Sequence, residues 1–233
     1  MSSQQLKALL VHLYTASTMI VLLLSTHLLL HDRLDLALVV LLLAVAIDST
    51  DGMLARRYRV KEVVPGLDGR RLDDIIDYVS YVFLPVVFML KAGMLAAPVV
   101  LFGALPLLAS AFGFARVDAK LDDDGFFLGF PSYWNILVAY FYLLGTPPWL
   151  NTTVVAVCAA LVLVPTRYIY ITRMPQHRWL NFNWALLCGL ALLGALVAAG
   201  ALRQLLLYLS LTYPVYYTIY SFVLDWRARK ATG

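Results

Sequence analysis

The amino-acid sequence predicts an all-α integral membrane protein: a polytopic bundle of about eight transmembrane helices with both termini cytoplasmic. Three observations carry that expectation. Hydrophobic residues fill 62% of the 233 positions and charged ones only 14%, at a mean hydropathy of +0.79. A soluble domain of this size does not carry several apolar runs of bilayer-spanning length. Such runs recur along the whole chain, and the lysines and arginines between them fall almost entirely on alternate sides.

The first run, about residues 8–31, follows Lys7 and is longer than the apolar region of a secretory signal. With no convincing small-x-small cleavage site after it, it reads as an uncleaved first span. The second, about 34–55, runs into an acidic and basic end, and the third, about 72–91, begins with acidic residues. A fourth follows at about 93–115. The fifth, about 131–147, is short and bounded by Pro131 and by Pro147 and Pro148. Three more cover about 150–170, 180–201 and 204–224.

Charge tests the count. With eight spans and the N-terminus inside, 15 basic residues lie inside and 3 outside; without the fifth span the split falls to 10 and 8. The positive-inside rule selects the first arrangement. No Pro/Gly/Ser-rich linker divides the chain, so a single membrane domain over residues 1–233 is expected. Cys158 and Cys188 lie inside spans without a C-x-x-C pattern and read as packing residues. The net charge of +4 does not point to nucleic acid. Arg57, Arg59 and Lys61 can serve simply as an orientation signal facing anionic lipid.

Within this apolar chain, residues 48–77 read D-x2-D-G-x2-A-R-x12-G-x3-D-x3-D. Steps of three and four place Asp48 with Asp51, and Asp73 with Asp77, on one face of each of two neighbouring helices. Four carboxylates gathered at a bilayer surface repel one another and lose hydration, so they need compensating charge. Divalent cations supply it, and all-oxygen donors favour magnesium, manganese or calcium over zinc. A site of this kind suits a diphosphate. The competing role is salt bridging to the nearby arginines. Asp74 points about 100° from Asp73 on an ideal helix and is expected to be peripheral.

Gly52 and Ala55 keep the second helix slim beside Asp51, where a ligand or another helix can approach. Arg56 can meet a phosphate or snorkel to the interface. Gly69 opens space ahead of the third span. Thr15 and Thr18 put hydroxyls on the first span near His12, as candidate nucleotide contacts.

Asp48, Asp51, Gly52, Ala55, Arg56, Gly69, Asp73 and Asp77 together resemble the signature of the CDP-alcohol phosphatidyltransferases, membrane enzymes that displace CMP from a CDP-linked substrate with an alcohol. Most of that family places eight residues between the arginine and the second glycine, whereas this chain has twelve, Arg57 to Asp68. The longer spacer resembles the bacterial phosphatidylcholine synthase branch. So do the words VHLYTAS, RRYRVKEVVPGLDG, LDDIIDYVSYVF and GFPSYWN.

The resemblance implies two divalent cations per site, Mn2+ or Mg2+, held by Asp48, Asp51, Asp73 and Asp77. It implies that Asp77 also takes the proton of the attacking hydroxyl, and that Gly52, Ala55, Arg56 and Gly69 line the nucleotide and diphosphate pocket. The substrates would be CDP-diacylglycerol and choline, handled at the cytoplasmic face of a bacterial inner membrane among its lipids. Family members are often homodimers, and the small residues Gly189, Gly194 and Ala198 offer a close-packing face for that.

Choline carries a permanent cation with no donor on nitrogen, which aromatic faces can hold. Tyr78 and Tyr81 follow Asp77 within about one turn, and Tyr133, Trp134 and Tyr140 cluster on the fifth segment. These five are the expected cage, although tyrosine and tryptophan also populate membrane interfaces and bundle cores. Asn135 and residues 118–120 are further candidates for either substrate. A phosphorylated acceptor such as inositol phosphate or glycerol phosphate needs a basic pocket, for which Arg70, Arg116 and Lys120 are available. Serine needs polar groups and no cage. CDP-choline reacting with diacylglycerol uses the same motif. A divalent-cation transporter is the remaining class, but the carboxylates gather at one face rather than along a midplane path.

Overall fold

The fold is seen in a computed structural model, which describes residues 1–116, 120–121, 125–171 and 178–232. Residues 118 and 119 of the candidate contact segment lie outside the described residues.

The chain is mainly helical. Helix α1 (Ser3–Leu30) starts with a capping box: Ser2 Oγ accepts from Gln5 N, and Gln5 Oε1 accepts from Ser2 N. Helix α2 (Leu34–Arg57) returns along it. Ser25 Oγ donates to the Ala37 carbonyl at 2.8 Å, and Tyr14 Oη meets Thr50 Oγ1 at 2.8 Å. These bonds tie the two helices near both ends.

A short helix α3 (Val60–Val63) lies in the spacer, and its Val60 is buried against Ala8 and Val11 of α1. Helix α4 (Gly69–Asp77) begins where Asp68 accepts from the amides of Arg70 and Arg71. It continues without a break through a π-helical segment, Tyr78–Phe83, into α5 (Leu84–Lys91).

Helix α6 (Val99–Ala115) follows, starting later than the expected 93–115 because Gly93 turns at positive φ and Pro98 sits at the N-cap. Next come α7 (Trp134–Leu144), α8 (Pro148–Leu163), α9 (Arg178–Val197) and α10 (Gly200–Thr232). Helix α8 stops before Pro165, short of the expected 170, since the residue ahead of a proline is driven out of the helical region. Helix α10 runs well past 224 through polar sequence.

One element was not expected at all. A three-stranded antiparallel sheet joins β1 (Lys120–Leu121), β2 (Phe126–Leu128) and β3 (Arg167–Ile169) in that order, with Phe127 opposite Tyr168. Three-residue strands carry no readable periodicity. This sheet leans on α10: Asp225 Oδ1 accepts from Arg167 N, Ser221 Oγ accepts from Ile169 N, and Tyr217 Oη donates to the Ile169 carbonyl at 3.1 Å.

The main core runs between α2, the rod formed by α4, the π-segment and α5, and helices α7 to α9, around Leu38, Leu41, Phe88, Met89, Trp134 and Val155. The outside is also apolar, with Leu13, Ile20, Leu23, Val100, Phe112 and Leu187 exposed on their helices. An apolar core inside an apolar coat suits a bilayer rather than water. Among the described residues, three helices are long and apolar enough to cross a membrane: Ser3–Leu30, Leu34–Arg57 and Trp179–Val197. Val99–Ala115, Trp134–Leu144 and Pro148–Leu163 are shorter apolar helices.

Gly129 enters the fifth segment at φ +87, and a Cβ there would overlap the Val162 carbonyl oxygen. Gly129→Ala is therefore expected to cost at least ~2 kcal/mol. It should lower the unfolding midpoint of detergent-solubilised protein; an unchanged midpoint would contradict the packing of β2 against α8.

Candidate active site

The acidic end of α2 meets the start of the α4 rod. Carboxylate oxygens of Asp48, Asp51 and Asp73 lie within 4.8 Å of one another, and so do those of Asp73, Asp74 and Asp77. Asp73 belongs to both groups, so all four motif aspartates join one patch spanning two helices. Asp51 is buried and the others are half-buried. Both groups are purely carboxylate, and crowded hard-oxygen donors are the chemistry that fits divalent cations. Asp74 is the addition that helical spacing missed. Its Cβ direction diverges from that of Asp73, but rotation about χ1 brings their oxygens together.

Asp48 is further fixed from the π-segment. Tyr81 Oη donates to Asp48 Oδ2 at 2.7 Å. π-Turns interrupt the regular helical register and often occur at functional sites; this one begins directly after Asp77 and contains Tyr81. Sequence spacing suggested an ordinary helix here.

The small residues have identifiable neighbours. The exposed Arg56 folds back along α2, its Nη1 only 3.5 Å from where a Cβ of Gly52 would stand. Ala55 packs against the satellite core of Ala8, Val11 and Val60. At Gly69 a Cβ would stand 2.9 Å from His12 Cε1, so the glycine admits the imidazole over the start of α4. His12 is only 8% exposed, and its Nε2 has no hydrogen-bond partner among the described residues. Thr15 and Thr18 are buried on the same helix, and Thr15 Oγ1 donates to the Val11 carbonyl at 3.4 Å.

The five aromatic candidates do not stay together. Tyr81 and Tyr133 do, with ring centroids 6.1 Å apart. Tyr78 instead donates to the Leu107 carbonyl at 2.8 Å. Trp134 is fully buried and donates its Nε1 to Ser110 Oγ at 2.9 Å; Tyr140 donates to Ser210 Oγ at 3.2 Å. Asn135 is buried in the core beside Trp134, its Oδ1 accepting from Ile136 N. Tyr133 leads instead to residues that the sequence did not single out, Tyr213 and Tyr217 of α10 and Tyr168 of β3. No local spacing connects them with position 133; only the sheet brings them near.

Residues 9–125 match the model of the CDP-alcohol phosphatidyltransferase family. Among characterised proteins, the chain is similar to the phosphatidylcholine synthase of Pseudomonas aeruginosa, at 39% identity over 77% of this chain and 77% of that protein. It is 40% identical to the phosphatidylcholine synthase of Legionella pneumophila over 74% of this chain and 68% of that one. It is 34% identical to the phosphatidylcholine synthase of Borreliella burgdorferi over 73% of each.

Tyr81→Phe removes the bond that orients Asp48, and loss of such an outer partner typically weakens a metal site by 10–100-fold. Titration with Mn2+, followed by electron paramagnetic resonance, should show about tenfold weaker binding in this variant. Gly69→Ala should cost about 1–3 kcal/mol in thermal unfolding because the buried His12 ring must move. In a His12→Ala background the same change should cost much less, and equal costs in both backgrounds would rule out the contact.

Proposed function

The chain belongs to the CDP-alcohol phosphatidyltransferase family and is a phosphatidyltransferase, and from this premise we propose that it moves the phosphatidyl group of CDP-diacylglycerol to choline. The observation that carries the metal-assisted chemistry is the convergence of Asp48, Asp51, Asp73 and Asp77 between two helices. The similarity to three phosphatidylcholine synthases over most of the chain supports choline as the acceptor.

In the proposed reaction the choline hydroxyl oxygen attacks the β-phosphorus. A new P–O bond forms while the bond to the bridging oxygen breaks, and CMP departs with that electron pair. Asp77 accepts the hydroxyl proton. A carboxylate is a weak base, but proton loss can lag behind attack in a loose phosphoryl-transfer transition state. Asp48, Asp51, Asp73 and Asp77 would hold two divalent cations, Mn2+ or Mg2+, which when bound would neutralise the diphosphate and the leaving CMP. Asp74 is close enough to share in that ligand set.

Gly52, Ala55, Arg56 and Gly69, with Thr15 and Thr18, line the nucleotide and diphosphate side in this reading. The buried, unpartnered Nε2 of His12 supports extending that surface onto α1. Arg56 brings its guanidinium over Gly52, where a phosphate oxygen can take it. For the acceptor side, the Tyr81 bond to Asp48 and the neighbouring Tyr133 ring support these two residues, whereas Tyr78, Trp134 and Tyr140 hold backbone or serine partners.

The proposed setting is a single eight-span domain of a bacterial inner membrane, with both termini and the aspartates cytoplasmic; the basic residues around the aspartates support that orientation. CDP-diacylglycerol reaches the site laterally from the inner leaflet. A homodimer would use the face at Gly189, which has open space around it; Gly194 already packs against Leu206 within the chain.

Purified protein with CDP-diacylglycerol and Mn2+ should release CMP when choline is added. It should not do so with serine, inositol, inositol phosphate or glycerol phosphate. Release with one of those alone would overturn the choline assignment while keeping the metal chemistry. Asp77→Asn should abolish turnover, by at least about 10²-fold, while the protein still elutes as a folded species. Retained turnover would remove Asp77 from its role as base.

A further inference from the structure

Choline's hydroxyl and its ammonium are separated by only two methylene groups. If the hydroxyl sits at Asp77, the cation must lie within about one side chain of the aspartate patch. Tyr81 is at that range through its bond to Asp48, and Tyr133 is the next ring along, 6.1 Å away. Trp134 and Tyr140 are not, being tied to Ser110 and Ser210.

From Tyr133 the aromatic surface continues into α10. Tyr217 lies 6.1 Å from Tyr133 between ring centroids, and Tyr213 lies 6.2 Å from Tyr217. Tyr213 is only 6% exposed, yet its hydroxyl oxygen has no hydrogen-bond partner among the described residues. A buried phenol normally finds one, and among the described residues this oxygen has none, which leaves it available to a ligand. Tyr217 spends its hydroxyl on the Ile169 carbonyl and has its ring directed toward Tyr133.

The family match ends at residue 125, ahead of Tyr133, Tyr213 and Tyr217. Members grouped by a CDP-linked alcohol share the donor chemistry, so residues choosing the acceptor belong where the shared region stops and the chain still reaches the metal ligands. The aromatic wall lies beyond residue 125 and joins the aspartate patch at one end, through Tyr133 and the Tyr81 bond to Asp48.

We propose that the quaternary ammonium of the acceptor docks against Tyr133, Tyr213 and Tyr217, so that α10, remote in sequence from the aspartate motif, sets the preference for choline. The assignment rests on the phosphatidylcholine synthase reading above. Ring faces and phenol oxygens attract the partly positive methyl groups of such a cation without needing an N–H donor. A primary amine or a serine gains less there, because its ammonium loses hydrogen bonds to water that rings replace poorly.

The test is steady-state CMP release by the full-length protein with Mn2+, in wild type and in Tyr213→Leu, Tyr217→Leu and Tyr213→Phe. The Leu variants should raise KM for choline about tenfold and leave KM for CDP-diacylglycerol within twofold. Tyr213→Phe keeps volume and ring face and should show a smaller rise of the same kind. Trp134→Phe should leave KM for choline unchanged. Tetramethylammonium should compete with choline in the wild type, more weakly in the Leu variants, and not with CDP-diacylglycerol. If the wild type uses choline but Tyr213→Phe and either folded Leu variant keep its KM and its inhibition by tetramethylammonium, the α10 site is wrong. The same holds if KM for CDP-diacylglycerol moves in parallel. If the wild type turns over only another alcohol and ignores tetramethylammonium, the choline reading fails with it.

Discussion

Carboxylates that repel one another have to be held together at the edge of a bilayer, and the other features of this fold answer to that constraint. Asp48, Asp51, Asp73, Asp74 and Asp77 come from two helices that, left to electrostatics, would separate. They are kept in register from three directions. Helix α1 bonds to α2 through Ser25 and Tyr14, the second of these at Thr50, between Asp48 and Asp51. The spacer is pinned by Val60 against α1, and Asp68 fixes where α4 begins. Tyr81 reaches across from the rod to Asp48 itself. Each contact is modest alone, about 1 kcal/mol for a net hydrogen bond. Together they leave the acidic ends little freedom to relax apart.

The π-segment belongs to the same economy. In a regular helix the turn after Asp77 would be spent on backbone alone. Here the register is broken between the last acidic residue and the first tyrosine that touches an acidic residue on the other helix. Local irregularity of this kind is stable only when the surroundings hold it in place, and Ser80, Tyr81 and Val82 are all buried in the core.

What could be read in the sequence follows the range of the interactions. The apolar runs and the acid spacing are local, and both reappear: α1 and α2 nearly as bounded, and Asp48, Asp51, Asp73 and Asp77 in one patch. Asp74 was missed because a helical wheel tracks Cβ directions rather than carboxylate oxygens. His12 was noticed only as a polar residue; its packing over Gly69 depends on how α1 crosses α4. The five aromatic candidates separate for a different reason. Spacing groups Tyr78 with Tyr81, and Tyr133 with Trp134, but neighbours in a helix diverge, and each pair is split by its own hydrogen-bond partner. The sheet that carries Tyr168 toward Tyr133 consists of strands of two or three residues, too short to announce themselves.

These two ranges divide the site into parts with different tolerances. The proposed donor side is built from contacts among α1, α2 and α4, where carboxylate oxygens gather within 4.8 Å of one another and the His12 ring closes on Gly69. Substitution there meets either charge repulsion or overlap. The proposed acceptor side is an aromatic surface running from Tyr81 through Tyr133 to α10, whose rings meet edge to face or tilted at about 6 Å. Ring contacts of that kind change gradually when one member is exchanged, because the attraction is spread over many atoms. A chain that must keep one donor while its acceptor varies is better served by placing selectivity on the second surface than on the first. The Tyr213 oxygen, without a hydrogen-bond partner among the described residues, lies on that second surface, on an element that supplies no carboxylate to the aspartate patch, where on the proposed reading an exchange would alter the acceptor and leave the aspartates in place.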